Sequence, residues 1–352
     1  VTREAGVRIR SGAAVTGLEW DPSTALPRAV GVVTPEGVVE ADLVVDAAGR
    51  SSVLGEWIVD GGGQAPEEET SDCGLVYYSR YYRLRSPGRP EGPWLLGPRA
   101  MSDYIEAGTF WGDNDTFSIV QMIRPRDPDL RALRRPDAFE ASLRALPAFR
   151  LLTDEGVAEP ITPVLSMGQL RNTRRRFVTA GRPVATGVVP LGDSLAHTNP
   201  RLAWGLSLAL HEAFLLARLL DEHPPASETL PLTFDRETKV LLDACYRAAT
   251  EVDAARMRYW AGVAGDLTSP DEEEAYFLLY WLPVAGMTDA DVFRAAVRRL
   301  MLLDRPDEVT ERRDLLDRAA RAVKTAMAES PPAPQAPPRD ELVSIVQRAS
   351  ER

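Results

Sequence analysis

The sequence predicts an α/β (α+β) body that carries an inserted β-sheet region and ends in a helical region. Three observations carry this. Residues 1 to 49 are short β-prone runs divided by turns, and a set of aromatic-rich strands follows them. From Ala203 onward the apolar residues recur at helical spacing. With 352 residues, 44% of them apolar, the chain can hold two cores or one large domain with an elaborated second layer.

In chain order, the first β-prone runs are Val7–Ile9, Ala13–Glu19, Ala29–Thr34, Val38–Glu40 and Asp42–Asp46. Pro22, Pro27 and the turn Pro35-Glu36-Gly37 separate them. The last run, ADLVVDAAG, is almost continuously apolar, as expected of a strand covered on both faces. Ser51 and Ser52 can cap a short helix through Glu56. Gly61–Gly63 and Glu67–Glu69 read as a solvated loop. CGLVYYSRYYRL, WLLG, YIEAGTFWG and TFSIVQMI then read as four strands, and Asp137–Leu146 as a helix. Further helices are expected at 203–221, 230–262, 270–281, 289–303 and 307–328. A Pro/Ala linker follows at Pro331–Pro338, then a terminal helix from Asp340.

Composition excludes several classes of function. The net charge of −11 argues against a nucleic-acid surface, which needs clustered Lys and Arg. The longest apolar stretch, Leu202–Leu220, is interrupted by His211, Glu212 and Arg218. It reads as a buried helix, so no integral membrane segment is expected. Cys73 and Cys245 match no metal or redox spacing and read as small buried hydrophobes in a reduced, cytoplasmic chain. With three His and no paired motif, no metal site is expected. Arg174-Arg175-Arg176 reads as a turn surface. The aromatic run YYSRYYRL reads first as cross-strand packing and second as the lining of a substrate cavity.

Most of the chemistry lies in VVPLGDSLAHTNPRLAWGLSLAL, residues 188–210. A strand ending at Leu191 puts the next residues at the carboxyl edge of a sheet, where open α/β folds place ligands. Gly192 permits a tight turn there. Asp193 offers an acceptor to hydroxyl donors, and the helix start that follows offers free N–H groups. A ligand suited to both has sugar-like hydroxyls at one end and carbonyl or anionic oxygens at the other. His197 reads as a hydrogen-bonding loop residue, and no nucleophile or acid–base pair stands out as catalytic.

This stretch resembles the second flavin fingerprint of the FAD-dependent monooxygenases and their halogenase, epoxidase and geranylgeranyl-reductase relatives. The usual form is G-D-(A/S)-x-H-x-x-x-P-x-x-G-x-G-x-(N/S). Gly192, Asp193, His197, Pro200, Gly205 and Ser207 fall into register, while Ala203 replaces the first glycine of the pair and Trp204 follows it. ADLVVDAAGRSS, residues 41–52, resembles the family's middle fingerprint: against the G-A-D-G-R-x-S form Asp46 replaces the first glycine and Ala48 the aspartate, which brings it closer to the D-A-T-G-R form.

The resemblance implies an incomplete FAD-binding, Rossmann-like domain of the glutathione-reductase type at 1–60 and 160–222. A β-sheet substrate-binding domain would occupy 61–159 and a helical region 223–330, with the linker and terminal helix at 331–352. It also implies that Asp193 holds a ribityl hydroxyl of FAD and that Gly192 turns the chain close to the cofactor. Pro200 and Ala203 would sit beside the flavin ring, the backbone of Gly205 and Leu206 would face its pyrimidine edge, and Ala48 and Gly49 would approach the cofactor through their backbone. Val15 would lie near the adenine. The implied activity is that of a monooxygenase or epoxidase: NAD(P)H reduces FAD, O2 adds to it, and the flavin hydroperoxide passes one oxygen to a small hydrophobic organic substrate.

An isoprenoid-type reductase is the alternative within this class. The halogenase signature W-x-W-x-I-P has no counterpart here. No strand followed by G-x-G-x-x-G occurs in the chain, so a truncated N-terminus is expected. That expectation keeps open a second alternative, a non-catalytic remnant that needs a partner segment.

Overall fold

The structure, a computed structural model, describes residues 6–91, 97–262, 284–329 and 335–351, together with Glu274, Phe277, Leu278 and Leu282. The architecture is α+β, with a β-sheet core domain and a largely helical C-terminal region. The chain divides into two compact units. One comprises the described residues of Val1–Ser71, Arg171–Thr250 and Val297–Glu311, and the other those of Asp72–Leu170, Glu251–Ala296 and Arg312–Arg352.

In the first unit, Gly17–Trp20, Ala29–Thr34 and Gly37–Glu40 form an antiparallel meander. Val44–Asp46 pairs in parallel with Val188–Pro190, Val44 opposite Val188 and Asp46 opposite Pro190. The helix Leu54–Asp60 covers this region. Leu54 and Ile58 pack with Leu18, Ala29, Val184, Ala185 and Val188. Glu67–Glu69, expected in a solvated loop, instead open a strand, Glu67–Asp72. It lies beside Arg171–Arg176, whose other edge carries Ala196–His197. The arginine run is therefore strand and not turn. Arg174 and Arg176 share one face of the strand and both reach Asp243, with Arg174 fully buried, while Arg175 and Arg176 pair with Glu68 and Glu69 on the Glu67–Asp72 strand.

The helix Gly205–Glu222 buries Leu208, Glu212, Leu215, Leu216 and Leu219. Its opposite stripe, Leu206, Leu210 and Phe214, is exposed. Three strand expectations shrink. Val7–Ile9 forms no strand, Ala13–Glu19 is reduced to Gly17–Trp20, and Asp42–Asp46 shortens to Val44–Asp46. Val45 is exposed there, so this strand is not covered on both faces as expected: the face that carries Val45 is open.

In the second unit, the sheet runs in the order Ala158–Pro160, Val76–Leu84, Thr116–Ile123, Glu106–Trp111, Arg99–Met101. Leu165–Met167 also pairs with Val76–Leu84. The expected WLLG strand falls mostly outside the described residues, as do much of the expected helix 270–281 and part of the Pro/Ala linker. The register puts Trp111, Phe117 and Tyr82 in one row, and their rings pack with 5.2 Å between successive centroids. That face buries Phe139 and Leu143 of the helix Pro136–Ala145, with Leu342 and Val346 of Arg339–Ser350.

The other face carries the rows Phe110–Ser118–Tyr81 and Gly108–Val120–Ser79–Leu165. Tyr81, Phe110 and Leu165 are exposed on it. The tyrosine run is thus split by strand alternation, with Tyr78 and Tyr82 in the core and Tyr81 outside. Cys73 and Cys245 are both buried free thiols, and burial pushes Cys245 up to about 12. Among the described residues, no helix is long and apolar enough to cross a membrane.

Gly187 joins the meander to the parallel pair in a left-handed conformation at φ +69°. A Cβ there would lie 2.1 Å from the Ala29 carbonyl oxygen. Gly187→Ala should therefore cost at least about 2 kcal/mol, from backbone strain plus the steric clash, read as a lowered midpoint in urea unfolding.

Candidate functional site

The parallel pair ends both strands at one edge, so the turns after Asp46 and Pro190 leave the sheet side by side. Asp46 shapes the first turn. Its Oδ1 accepts from the Ala48 amide at 2.9 Å and its Oδ2 from the Ser52 hydroxyl, while Ser52 Oγ accepts from the Leu54 amide. The second turn is a 3-10 segment, Gly192–Ser194. Ser194, fully buried, locks the two together: its Oγ accepts from the Gly49 amide at 2.9 Å and donates back to the Gly49 carbonyl at 3.4 Å.

Gly192 is buried at φ +61°, and a Cβ there would meet the Ala209 methyl at 3.2 Å. Its amide donates to Glu212 Oε2 at 2.6 Å. The turn thus rests directly on the helix Gly205–Glu222. Asp193 points outward, and its Oδ1 would lie 3.5 Å from a Cβ placed on Gly205. No hydrogen bond to the Asp193 carboxylate is present among the described residues. The carbonyls behind it are taken up by Arg175, which donates to Asp193 O and Ser194 O at 3.4 and 3.1 Å. His197 Nδ1 lies 3.2 Å from Asp193 O, and burial holds the imidazole below its usual range.

The next loop is equally tied down. The Asn199 amide donates to Asn172 Oδ1 at 2.7 Å, and Asn199 Oδ1 accepts from the Arg201 amide. Pro200 is exposed at the start of the 3-10 segment Pro200–Leu202. Ala203 ends that segment in the left-handed region at φ +56°. Trp204, 1% exposed, then anchors the chain, with its Nε1 donating to Leu300 O at 3.2 Å and its ring under the Arg299 guanidinium. Gly205 and Leu206 open the helix, and Leu206 is 74% exposed.

Of the residues expected from sequence, Ala48, Gly49, Gly192, Asp193, Pro200, Ala203, Gly205 and Leu206 belong to these two turns and the helix start. Val15 belongs to neither turn and is exposed ahead of the strand Gly17–Trp20. Sequence reasoning missed Ser194, Asp46 and Glu212. In the sequence Glu212 is only a break in an apolar run, although a charge on the buried stripe of a helix is itself a signal. The pieces suit the hydroxyl end of a sugar-like chain. They comprise a free exposed carboxylate, the unsatisfied amides of a helix start, and glycine at the point where a side chain would otherwise stand beside the carboxylate.

Comparison with known proteins bears on the fold. No family model matches the chain. Protein Rv3254 of Mycobacterium tuberculosis is 28% identical over 190 residues, which are 53% of this chain and 38% of that protein. The flavin-dependent brominase Bmp2 superposes with a TM-score of 0.54 at 16% identity, over 90% of this chain and 71% of the brominase. The anhydrotetracycline hydroxylase OxyS from Streptomyces rimosus gives 0.52 at 18% identity, over 85% of this chain and 53% of the hydroxylase. The chain shares the fold of these two structures. It spans little more than a third of the curated relative and about half of the hydroxylase.

Two outcomes follow from this geometry. Ser194→Ala removes both links to Gly49 and should cost about 1–2 kcal/mol of stability, measured by urea unfolding. Glu212 behaves differently from most carboxylates. Burial pushes it up to about 7, aided by the charge of Asp193 and opposed by the Gly192 amide and Arg174. Its folded form therefore resists ionisation, and the penalty is absent below about pH 4.5, where it is protonated folded or unfolded. The penalty grows as pH rises to about 7, reaching about 3 kcal/mol, and is constant above. Glu212→Gln should abolish that loss of stability between pH 4.5 and 7, whatever its effect on absolute stability.

Proposed function

We propose that this chain is an FAD-dependent oxidoreductase, a monooxygenase or epoxidase acting on a small hydrophobic organic molecule with NAD(P)H as electron donor. The observation that carries the reading is the joined pair of turns. Two segments resembling flavin fingerprints, about 140 residues apart, leave one sheet edge together, are locked by Ser194 and Gly49, and present one free carboxylate beside a helix start. The fold shared with a brominase and a hydroxylase described as flavin-dependent or hydroxylating supports it further.

In this reading Asp193 accepts a ribityl hydroxyl, and the amides of Gly205 and Leu206 face the pyrimidine edge. Pro200 and Ala203 border the ring, Gly192, Ala48 and Gly49 let backbone approach, and Val15 lies on the adenine side. Segments 1–60 and 160–222 form the cofactor-binding part, 61–159 the substrate-binding sheet and 223–330 a helical region. Bound flavin supplies the redox chemistry and oxygen activation. The protein's own work is to hold the cofactor's hydroxyls, keep the turn rigid and offer an apolar surface. Tyr81, Phe110 and Leu165, exposed on one sheet face among the small residues Gly108, Ser118 and Ser79, support a hydrophobic substrate.

Titration of the purified chain with FAD, followed by visible absorbance and flavin fluorescence, tests the cofactor reading. A bound-flavin spectrum is expected, and Asp193→Ala should weaken affinity at least about tenfold, the loss of one hydrogen bond to a charged group. Binding equal in both proteins would remove Asp193 from its role. Once a substrate is found, oxygen uptake coupled to NAD(P)H oxidation separates an oxygenase from an isoprenoid-type reductase, which would consume no O2. Phe110→Ala should then raise KM several-fold (about 1 kcal/mol of lost apolar contact) with little change in kcat.

A further inference from the structure

Glu212 is 1% exposed and lies on the buried stripe of Gly205–Glu222, three residues beyond Ala209. Ala209 and Glu212 therefore share a face, and Gly192 is held between them: the Ala209 methyl lies 3.2 Å from where a Cβ on Gly192 would stand, and the carboxyl takes the amide at 2.6 Å. Only Oε2 is so occupied. Oε1 is buried and has no hydrogen-bond partner among the described residues. Arg174 Nη2 is likewise buried and unpartnered, while the rest of that guanidinium is bound to Asp243 and the Arg175 carbonyl. The charged groups that bear on Glu212 are Arg174, from the strand Arg171–Arg176, and Asp193, from the turn. Asp243 and Asp235, from Thr229–Trp260, act in turn on Arg174.

We propose that Glu212 is the positioning residue of the flavin-binding turn: through the Gly192 amide it fixes the direction in which Asp193 presents its carboxylate, without itself reaching the cofactor. This rests on the flavin reading above. The physical case is that Gly192 is buried, so losing Glu212 strands its N–H in an apolar setting unless the turn swings to find another acceptor. Asp193 is the next residue, and any such swing moves its side chain. Charge adds a second effect. When Glu212 ionises, a second negative charge, this one buried, appears behind the exposed Asp193, and FAD, whose pyrophosphate is a dianion, is repelled by it. The burial that pushes Glu212 up to about 7 puts this change in the neutral range.

The test measures FAD affinity of the chain, by fluorescence titration at pH 6 and pH 8.5, alongside hydrogen exchange of peptides spanning Val188–Thr198 at matched pH. Glu212→Leu should lower affinity and speed exchange of the Gly192 amide, each at least about tenfold. Glu212→Gln keeps an acceptor and should hold both near wild-type values at pH 6. Wild-type affinity should fall severalfold between pH 6 and 8.5, and in Glu212→Gln it should stay flat. Unchanged exchange in Glu212→Leu, or Glu212→Gln as weak as Glu212→Leu, overturns the proposal. If Glu212→Leu does not fold, a pH step retained in Glu212→Gln overturns it. If the wild type and Asp193→Ala both fail to bind FAD, the flavin reading falls. Glu212 is then judged on exchange alone, and unchanged exchange in Glu212→Leu still counts against its role.

Discussion

The parallel pairing of Val44–Asp46 with Val188–Pro190 is the constraint on which the candidate site depends. It is three residues long and joins segments more than 140 residues apart, so its own hydrogen bonds repay little of the entropy of closing that loop. The apolar layer beneath it supplies the remainder, with Leu54, Ile58, Val184, Ala185 and Val188 packed together. Once the strands are aligned, both exits are forced to one edge, and the Ser194–Gly49 hydrogen bonds then fix the spacing of the two turns.

Behind the turns, the strand Arg171–Arg176 acts as a rack. Asn172 holds the Asn199 amide, Thr173 lies opposite His197, Arg174 lies opposite Ala196, and Arg175 takes the carbonyls of Asp193 and Ser194. Each contact satisfies a backbone group that would otherwise be stranded as the loop crosses the interior. Arg174 is the exception in kind. Its charge is buried and partly unpaired, tied to Asp243, toward which Arg176 and Lys239 also converge.

The two turns were legible in the sequence because their chemistry is local. Gly192 with its positive φ, Asp193 after it and the helix start follow one another within about fifteen residues, so the order of residue types encodes the geometry. Long-range partners were not legible. Ser194 reads as an ordinary loop serine until Gly49 is brought beside it, and Glu212 reads only as a break in an apolar run until Gly192 is brought beside it. The arginine run failed for the same reason. Three consecutive basic residues look solvated, yet the first is buried against Asp243 of a distant helix, and acidic residues of Glu67–Asp72 meet the other two. The tyrosine run was read correctly as cross-strand packing for Tyr78 and Tyr82, and Tyr81 shows that one run can serve both faces.

Ala203 has a consequence for how this loop can change over generations. Its left-handed backbone is one that glycine adopts freely and alanine adopts at a cost of about 1 kcal/mol. Trp204, clamped beside it by Leu300 and Arg299, holds the backbone there despite that cost. The two positions are therefore epistatic. With glycine at 203 the tryptophan could be exchanged with little effect on the loop's path, whereas with alanine its loss would let the loop relax. The order in which substitutions are accepted then matters: the anchor must be in place before the methyl group, and lost only after it.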